Sequence, residues 1–420
     1  MTKSKKTQPT KNNKKLKILA YCDSPTIETG FAQLAKPILK ALHDEGHEVI
    51  VVGVNHKNLF YDKNEYPYMI VGDTKSNLSV EPFMHFLLHW DYDVLFTSHD
   101  FGVLKNYVST IQERRKSHDF RWVAYMPMDS DFFSPENLTI IEESDAPYVY
   151  TKYGVEVIAK LNPKLAEKVG VMYLPNTGDF KPIDSKAKFY REKIRQDLFK
   201  VQSNETFVVM NLNRNHSRKD PFKTLQAFAG FAQNKKNVLL YLHMQEDRAG
   251  GAKLNMLANA LGIADKVRMP TQFEEGMGFP RSEVPKLYQG ADVVVSTTKA
   301  EGWGYSATEA MASKTAIIMP NHTSLTEMLG AEEERGYLVA AGMDADHWVL
   351  DYSESSYPHP IVHLEDMIAN MEMVYADWQK AKDYKGTKTG KKIEAAYKWV
   401  NDITWDRTTE EWLKAIKNEN

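Results

Sequence analysis

The sequence predicts an α/β protein made of two parallel-sheet domains. Three observations carry this. Lys17–Val54 reads as strand, loop, helix, strand, a βαβ unit that requires parallel strands. A second series of the same kind starts at Thr206. Between the two, TGDFKPIDSK (177–186) is polar and contains Pro and Gly, the composition of a hinge.

Each element follows from its residues. KILAYC (Lys17–Cys22) is a short apolar run and reads as a buried strand, followed by a polar loop, Asp23–Gly30. Phe31, Leu34, Ala35, Ile38, Leu39 and Leu42 then recur at helical spacing, and Gly46 ends the helix. His47–Val54 is the next strand. Further strands are expected at Asp93–His99, Arg121–Pro127, Ala146–Thr151 and Val169–Asn176, with Tyr153–Leu161 helical.

In the second half, strands are expected at Thr206–Leu212, Asn237–Met244, Lys266–Pro270, Ala291–Thr298 and Thr315–Pro320. Pro221–Gln233 is an amphipathic helix with Pro in its first turn. The end of the chain, Leu364–Lys380 and Trp405–Ile416, is helical without strands. Two such halves suggest a central cleft, with ligands at the carboxyl ends of the strands. The expected division is a basic tail at 1–16, a first domain at 17–180, a second at 181–400 and a closing helix at 401–420 that crosses back to the first domain.

Composition excludes several classes. The 420 residues include 22 Gly, 18 Pro and one Cys, which rules out collagen-like and disulfide-scaffold chains. The lone Cys22 cannot form an internal disulfide, so a reducing, cytoplasmic location is expected. No apolar run approaches the roughly 18–20 residues of a membrane span. The net charge of −3 is unevenly spread. Residues 1–17 hold seven lysines and no acid, and the rest carries 46 basic against 56 acidic residues. That argues against a body built to grip nucleic acid broadly.

The segment richest in chemistry is Ala291–Pro320, ADVVVSTTKAEGWGYSATEAMASKTAIIMP. A strand runs into a glycine-containing loop that opens a helix at Ser306. Gly302 and Gly304 let backbone N–H groups approach a ligand, and the helix start favours an anion such as a diphosphate. Glu309 is suited to accept two ribose hydroxyl protons, and Glu301 those of a sugar. Two plainer readings stand beside these. Ser306-Ala-Thr-Glu309 is also a capping box, and Glu301 alone is also a solvated loop acid.

The Glu301–Glu309 pair within EGWGYSATEAMASKTAII resembles the signature of glycosyltransferase family 4, retaining enzymes of the GT-B fold with two Rossmann-like domains. NRNHSRKDPFKTLQAF (Asn213–Phe228), YLPNTGDFKPI (Tyr173–Ile183), SEVPKLYQGADVVVS and the first Gly30 loop resemble other family stretches in order. The resemblance covers most of residues 17–415 and is weakest between 55 and 150.

It implies transfer of a sugar from a nucleotide-diphosphate sugar, UDP- or GDP-linked, to an acceptor hydroxyl with retention. Glu301 would hold donor-sugar hydroxyls, and Glu309 the ribose. Arg214 and Lys219, five apart, would neutralise the diphosphate, helped by the Gly30 backbone. Gly302, Trp303, Gly304, Tyr305 and Ser306 would line sugar and phosphates through their backbone. The base would lie near 268–273. The first domain departs from the family: Met128-Asp129 stands where many members have a strand-end His. Asp129 and His99 are therefore the polar candidates there.

No metal and no cofactor are expected; Asp129-Ser-Asp131 spells a metal-binding triplet of a different fold. Glycan, lipid-linked and small-molecule acceptors remain open, and so do hydroxymethylated DNA bases, which the basic tail brings to mind. A reading of a different class is a GT-B nucleotide-sugar-binding module that has lost transfer. A phosphorylase or epimerase of the same architecture is a third.

Overall fold

The computed structural model describes residues 15–57, 60–184, 188–201, 205–246, 251–270, 280–350 and 357–418. Most of the basic tail thus lies outside the described residues. The chain forms two units: one holds the residues up to Tyr125 with Glu143–Ala146 and Trp412 onward, the other Met126–Glu142 and Pro147–Glu411.

The first unit is built on five consecutive parallel strands, β1 (Lys17–Asp23), β2 (Glu48–Val54), β3 (Met69–Val71), β4 (Val94–Ser98) and β5 (Arg121–Met126), in the order β3-β2-β1-β4-β5. β1, β2 and β4 are buried almost end to end, as strands covered on both faces are, which is why they read as apolar runs. The helix Gly30–Asp44 connects β1 to β2. Thr29 caps it, its Oγ1 accepting from the Ala32 N–H at 3.1 Å. Gly46, at φ +89°, ends it in the left-handed region, where a side chain would be strained. The last helix, Trp405–Lys417, brings Trp412 against the rings of Phe96 and Tyr125, 5.3 and 4.7 Å between centroids.

In the second unit β6 (Ala146–Val149) pairs parallel with β7 (Gly170–Val171). The strand expected over Val169–Asn176 is therefore only two residues long. The Met172 N–H still reaches the Val149 carbonyl at 3.0 Å, but Pro175 has no N–H to extend a ladder, and the Asn176 amide turns to the Thr308 carbonyl.

The main sheet of this unit has six parallel strands: β8 (Phe207–Leu212), β9 (Val238–His243), β10 (Val267–Arg268), β11 (Val293–Val295), β12 (Ala316–Pro320) and β13 (Tyr337–Val339). Their order is β10-β9-β8-β11-β12-β13. Val209, Val293, Ile318 and Tyr337 enter its core with Phe228, Phe231 and Trp378. An antiparallel hairpin, β14 (Trp348–Leu350) and β15 (Pro358–Pro360), lies outside that sheet and was not expected from the sequence. Among the described residues, no helix is long and apolar enough to cross a membrane.

Candidate active site

β8 and β11 are adjacent and parallel, so the loops that leave their carboxyl ends emerge side by side. This register joins two sequence-distant motifs. The Lys299 N–H donates to the Arg218 carbonyl at 2.8 Å, and Thr297 Oγ1 donates to the Asp220 carbonyl at 2.7 Å. On this frame the Lys219 ammonium donates to the Glu301 carboxylate. Both side chains are only 12% exposed, so the contact is a largely desolvated ion pair. Burial alone would raise the Glu301 pKa, but the charges of Lys219 and Arg218 outweigh it and hold the carboxyl below its ordinary range.

Arg218 is a second cation at this place. Its Nη1 donates to the Ala300 carbonyl at 2.7 Å and lies 3.8 Å from an Asp129 carboxylate oxygen. The sequence expectation names Arg214 and Lys219 for the diphosphate and does not include Arg218. Arg214 is exposed on the loop after β8. The short turn Ser217–Lys219, capped by His216, sets these directions. Asp129 reaches the site because Pro127 packs on Gly302. A Cβ at position 302 would stand 2.6 Å from Pro127 Cβ, closer than such atoms come, so glycine is required there.

The loop itself is held from below. Ser324 Oγ lies 2.8 Å from both the Glu301 and Trp303 carbonyls. His322 Nε2 lies 2.8 Å from the Thr298 carbonyl, and burial pushes the His322 pKa down to about 4, so the ring is neutral at pH 7. It can therefore donate to that carbonyl. Trp303 is buried, its ring 5.6 Å from that of Tyr173.

The helix opens one residue earlier than expected, at Tyr305, with Gly304 as its cap at φ +106°. Ser306 is therefore inside the first turn and cannot be the cap. The capping-box reading of Glu309 fails for the same reason. Its carboxylate instead accepts from Arg281 at 2.9 Å and from the Tyr288 hydroxyl at 2.7 Å. Burial raises the Glu309 pKa, against the pull of Arg281 and the Tyr288 hydrogen bond. Arg281 also stands 5.0 Å over the Phe180 ring. Sequence reasoning missed Arg281; its only signal was a cation just before the helix Val284–Gly290. The first helical N–H groups, Tyr305 and Ser306 among them, have no partner within the helix, which suits an anion.

The expected base region begins at Arg268, whose Nη1 donates to the Asp265 and Val267 carbonyls at 2.8 Å. Its far end, Phe273, lies outside the described residues. Gly30 and His99 belong to the first unit. Gly30 is the first residue of its helix. His99 is buried, stacks on Phe31 at 5.0 Å, and accepts the Asp100 N–H at Nδ1. Burial pushes its pKa down to about 4, so it carries no charge at pH 7.

Two parallel sheets with Rossmann-like order, and strand-end loops that carry cations, an acid and a helix start, give the chain the GT-B architecture of the solved glycosyltransferases on which it superimposes. Residues 191–352, which carry Lys219, Glu301, Arg281 and Glu309, match the model of the glycosyl transferases group 1 family. A glycosyltransferase from Rickettsia africae superimposes with a TM-score of 0.69 at 16% identity, covering 96% of this chain and 98% of that one. The sucrose-phosphate synthase of Thermosynechococcus elongatus gives 0.68 at 14% identity, over 96% of this chain and 99% of that one. HepE of Anabaena, solved with UDP-glucose, gives 0.68 at 14% identity, over 96% of this chain and 100% of that one. A comparison with curated protein sequences finds no significant match.

Proposed function

We propose that the chain transfers a sugar from a nucleoside-diphosphate sugar, UDP- or GDP-linked, to an acceptor hydroxyl with retention of configuration. The observation that carries this reading is the buried Lys219–Glu301 pair, set with Arg218 at the entrance to the Tyr305–Ala312 helix. A departing nucleoside diphosphate gains negative charge in the transition state. Fixed cations and free helical N–H groups stabilise that charge without reorganising.

In this reading Lys219 and Arg218 face the diphosphate, with Arg214 as a third, exposed cation. The backbone of 302–306 lines the sugar, and ionised Glu301 accepts its hydroxyl protons. Glu309 exchanges part of its Arg281 and Tyr288 bonds for ribose hydroxyls. The acceptor hydroxyl attacks on the face the diphosphate leaves, and a phosphate oxygen takes its proton. The reaction calls on no cofactor and no metal at the diphosphate. That HepE was solved with UDP-glucose supports a UDP-sugar as the first donor to try.

The test incubates purified protein with labelled UDP- and GDP-sugars, without added divalent cations. Glycan, lipid-linked, small-molecule and hydroxymethylated-DNA acceptors are offered in parallel. Donor-dependent transfer with the anomeric configuration kept is expected, and Glu301→Gln should abolish it while the circular dichroism is unchanged. Donor binding without transfer or hydrolysis would favour a binding module instead. Unchanged turnover in Glu301→Gln would overturn the assignment of that residue.

A further inference from the structure

Far along the chain from Lys219 and Glu301, the β14–β15 hairpin gathers a second cluster of polar side chains. His347 directly precedes β14, and His363 follows β15. Backbone bonds fix both positions: the Ile361 N–H donates to the His347 carbonyl at 2.9 Å, and the His363 N–H donates to the Ala340 carbonyl at 2.8 Å. The two imidazole rings stack, 3.5 Å between centroids and 14° between planes. Asp344 completes the group. Its Oδ1 lies 2.5 Å from His347 Nδ1, and its Oδ2 lies 4.0 Å from His363 Nε2.

One ligand atom from each of the three residues lies within 4.8 Å of the others. His363 Nε2 is buried and has no hydrogen-bond partner among the described residues. A buried imidazole nitrogen without a partner is costly, and a nearby carboxylate oxygen just beyond hydrogen-bond range leaves room for an ion between them. Zinc sits about 2.0–2.2 Å from imidazole nitrogen and from carboxylate oxygen, so it can bridge such a gap.

We propose that Asp344, His347 and His363 bind a divalent transition-metal ion of the zinc, cobalt or nickel class at the base of the β14–β15 hairpin. Two imidazoles and one carboxylate suit these ions and leave a coordination position for water. A metal must lie in the plane of each ring it binds, so binding opens the His347–His363 stack. The ion then clips the two ends of the hairpin together. This matters to the neighbouring surface, because Trp348 meets Phe132 edge-on at 5.7 Å and lines a small hollow with Asp129, Lys299 and His359. The metal has no part in the proposed transfer chemistry, and the inference does not depend on it.

The test is a calorimetric titration of the tag-free, full-length chain with Zn²⁺. One ion per chain is expected, and Co²⁺ in its place should give the absorption bands of a low-symmetry nitrogen–oxygen site. His363→Ala, or His363→Gln should the alanine variant misfold, should weaken binding at least about tenfold. Asp344→Asn should weaken it in the same direction. The double variant His85→Ala/His89→Ala removes another close histidine pair, 5.3 Å between ring centroids, and should leave binding unchanged. Full-strength binding in folded His363→Gln, or binding lost only in the His85/His89 variant, overturns the proposal, as does no saturable binding.

Discussion

Glu309 and Arg281 are bonded at 2.9 Å, and the carboxylate end of that pair is almost completely buried while the guanidinium keeps some access to solvent. A buried acid held by a partly exposed cation is poised to trade that cation for another polar partner. Glu309→Gln keeps the shape but removes the charge. It should cost about 1.5–3 kcal/mol of stability through the weakened Arg281 bond. It should also weaken donor binding by at least about tenfold, the equivalent of about 1.4 kcal/mol. Urea unfolding reads the first effect and donor calorimetry the second.

The Lys219–Glu301 pair has a defined acid signature. The Glu301 pKa is depressed in the folded chain, so its contribution to stability is present above the ordinary carboxylate pKa. It is lost as pH falls through the folded value. Wild type should therefore lose stability on acidification below about pH 4.5, while Glu301→Gln shows a flatter profile there. Denaturant midpoints measured across that range decide it, and equal slopes would remove the pair from the account.

Three buried histidines act in a higher window. Burial pushes His99, His243 and His322 from 6.5 down to about 4. In the unfolded chain each takes a proton near 6.5, whereas in the folded chain it does not. Stability should thus fall as pH drops from about 6.5 toward about 4. His322→Asn should lower stability at pH 7, because the bond to Thr298 is disturbed, and should flatten part of that fall. Thermal melts at several pH values follow both effects.

Gly302 is held against Pro127 too tightly for any Cβ. Gly302→Ala should cost about 1–3 kcal/mol by overpacking. It should also shift the 127–129 segment and so disturb Asp129 beside Arg218. The expected readout is a lowered melting temperature, with loss of transfer larger than that stability loss alone would cause.

Trp412 is fully buried against Phe96 and Tyr125. Trp412→Ala should cost about 3–5 kcal/mol, the range for removing a large core aromatic. Chemical denaturation followed by circular dichroism measures it.

Much of the fold was legible because parallel strands buried on both faces leave apolar runs, as β1, β2 and β12 do. That Lys219 and Glu301 lie in loops at the carboxyl ends of strands was legible; that they pair with each other was not. That Arg218 reaches the Ala300 carbonyl and Asp129 was not legible either, because it depends on the turn Ser217–Lys219 that the Lys299–Arg218 backbone bond holds. Arg281 was hidden because its partner is chosen by tertiary packing and not by spacing. The two-residue β7 was overread for a similar reason: an apolar run ending in Pro175 looks like a strand until its hydrogen bonds are traced.

The membership of Trp412 onward in the first unit has a consequence for biosynthesis. A ribosome releases β1 through β5 long before it reaches the codon for Trp412. Throughout that interval the surface of Phe96 and Tyr125 lacks its final cover, and the nascent chain presents an aromatic patch to chaperones. Messages truncated before the last helix should yield products that are degraded or aggregate, even though every residue of the Lys219–Glu301 region has been translated. A synthetic peptide of the last helix, supplied to such a product, is the natural means of restoring it.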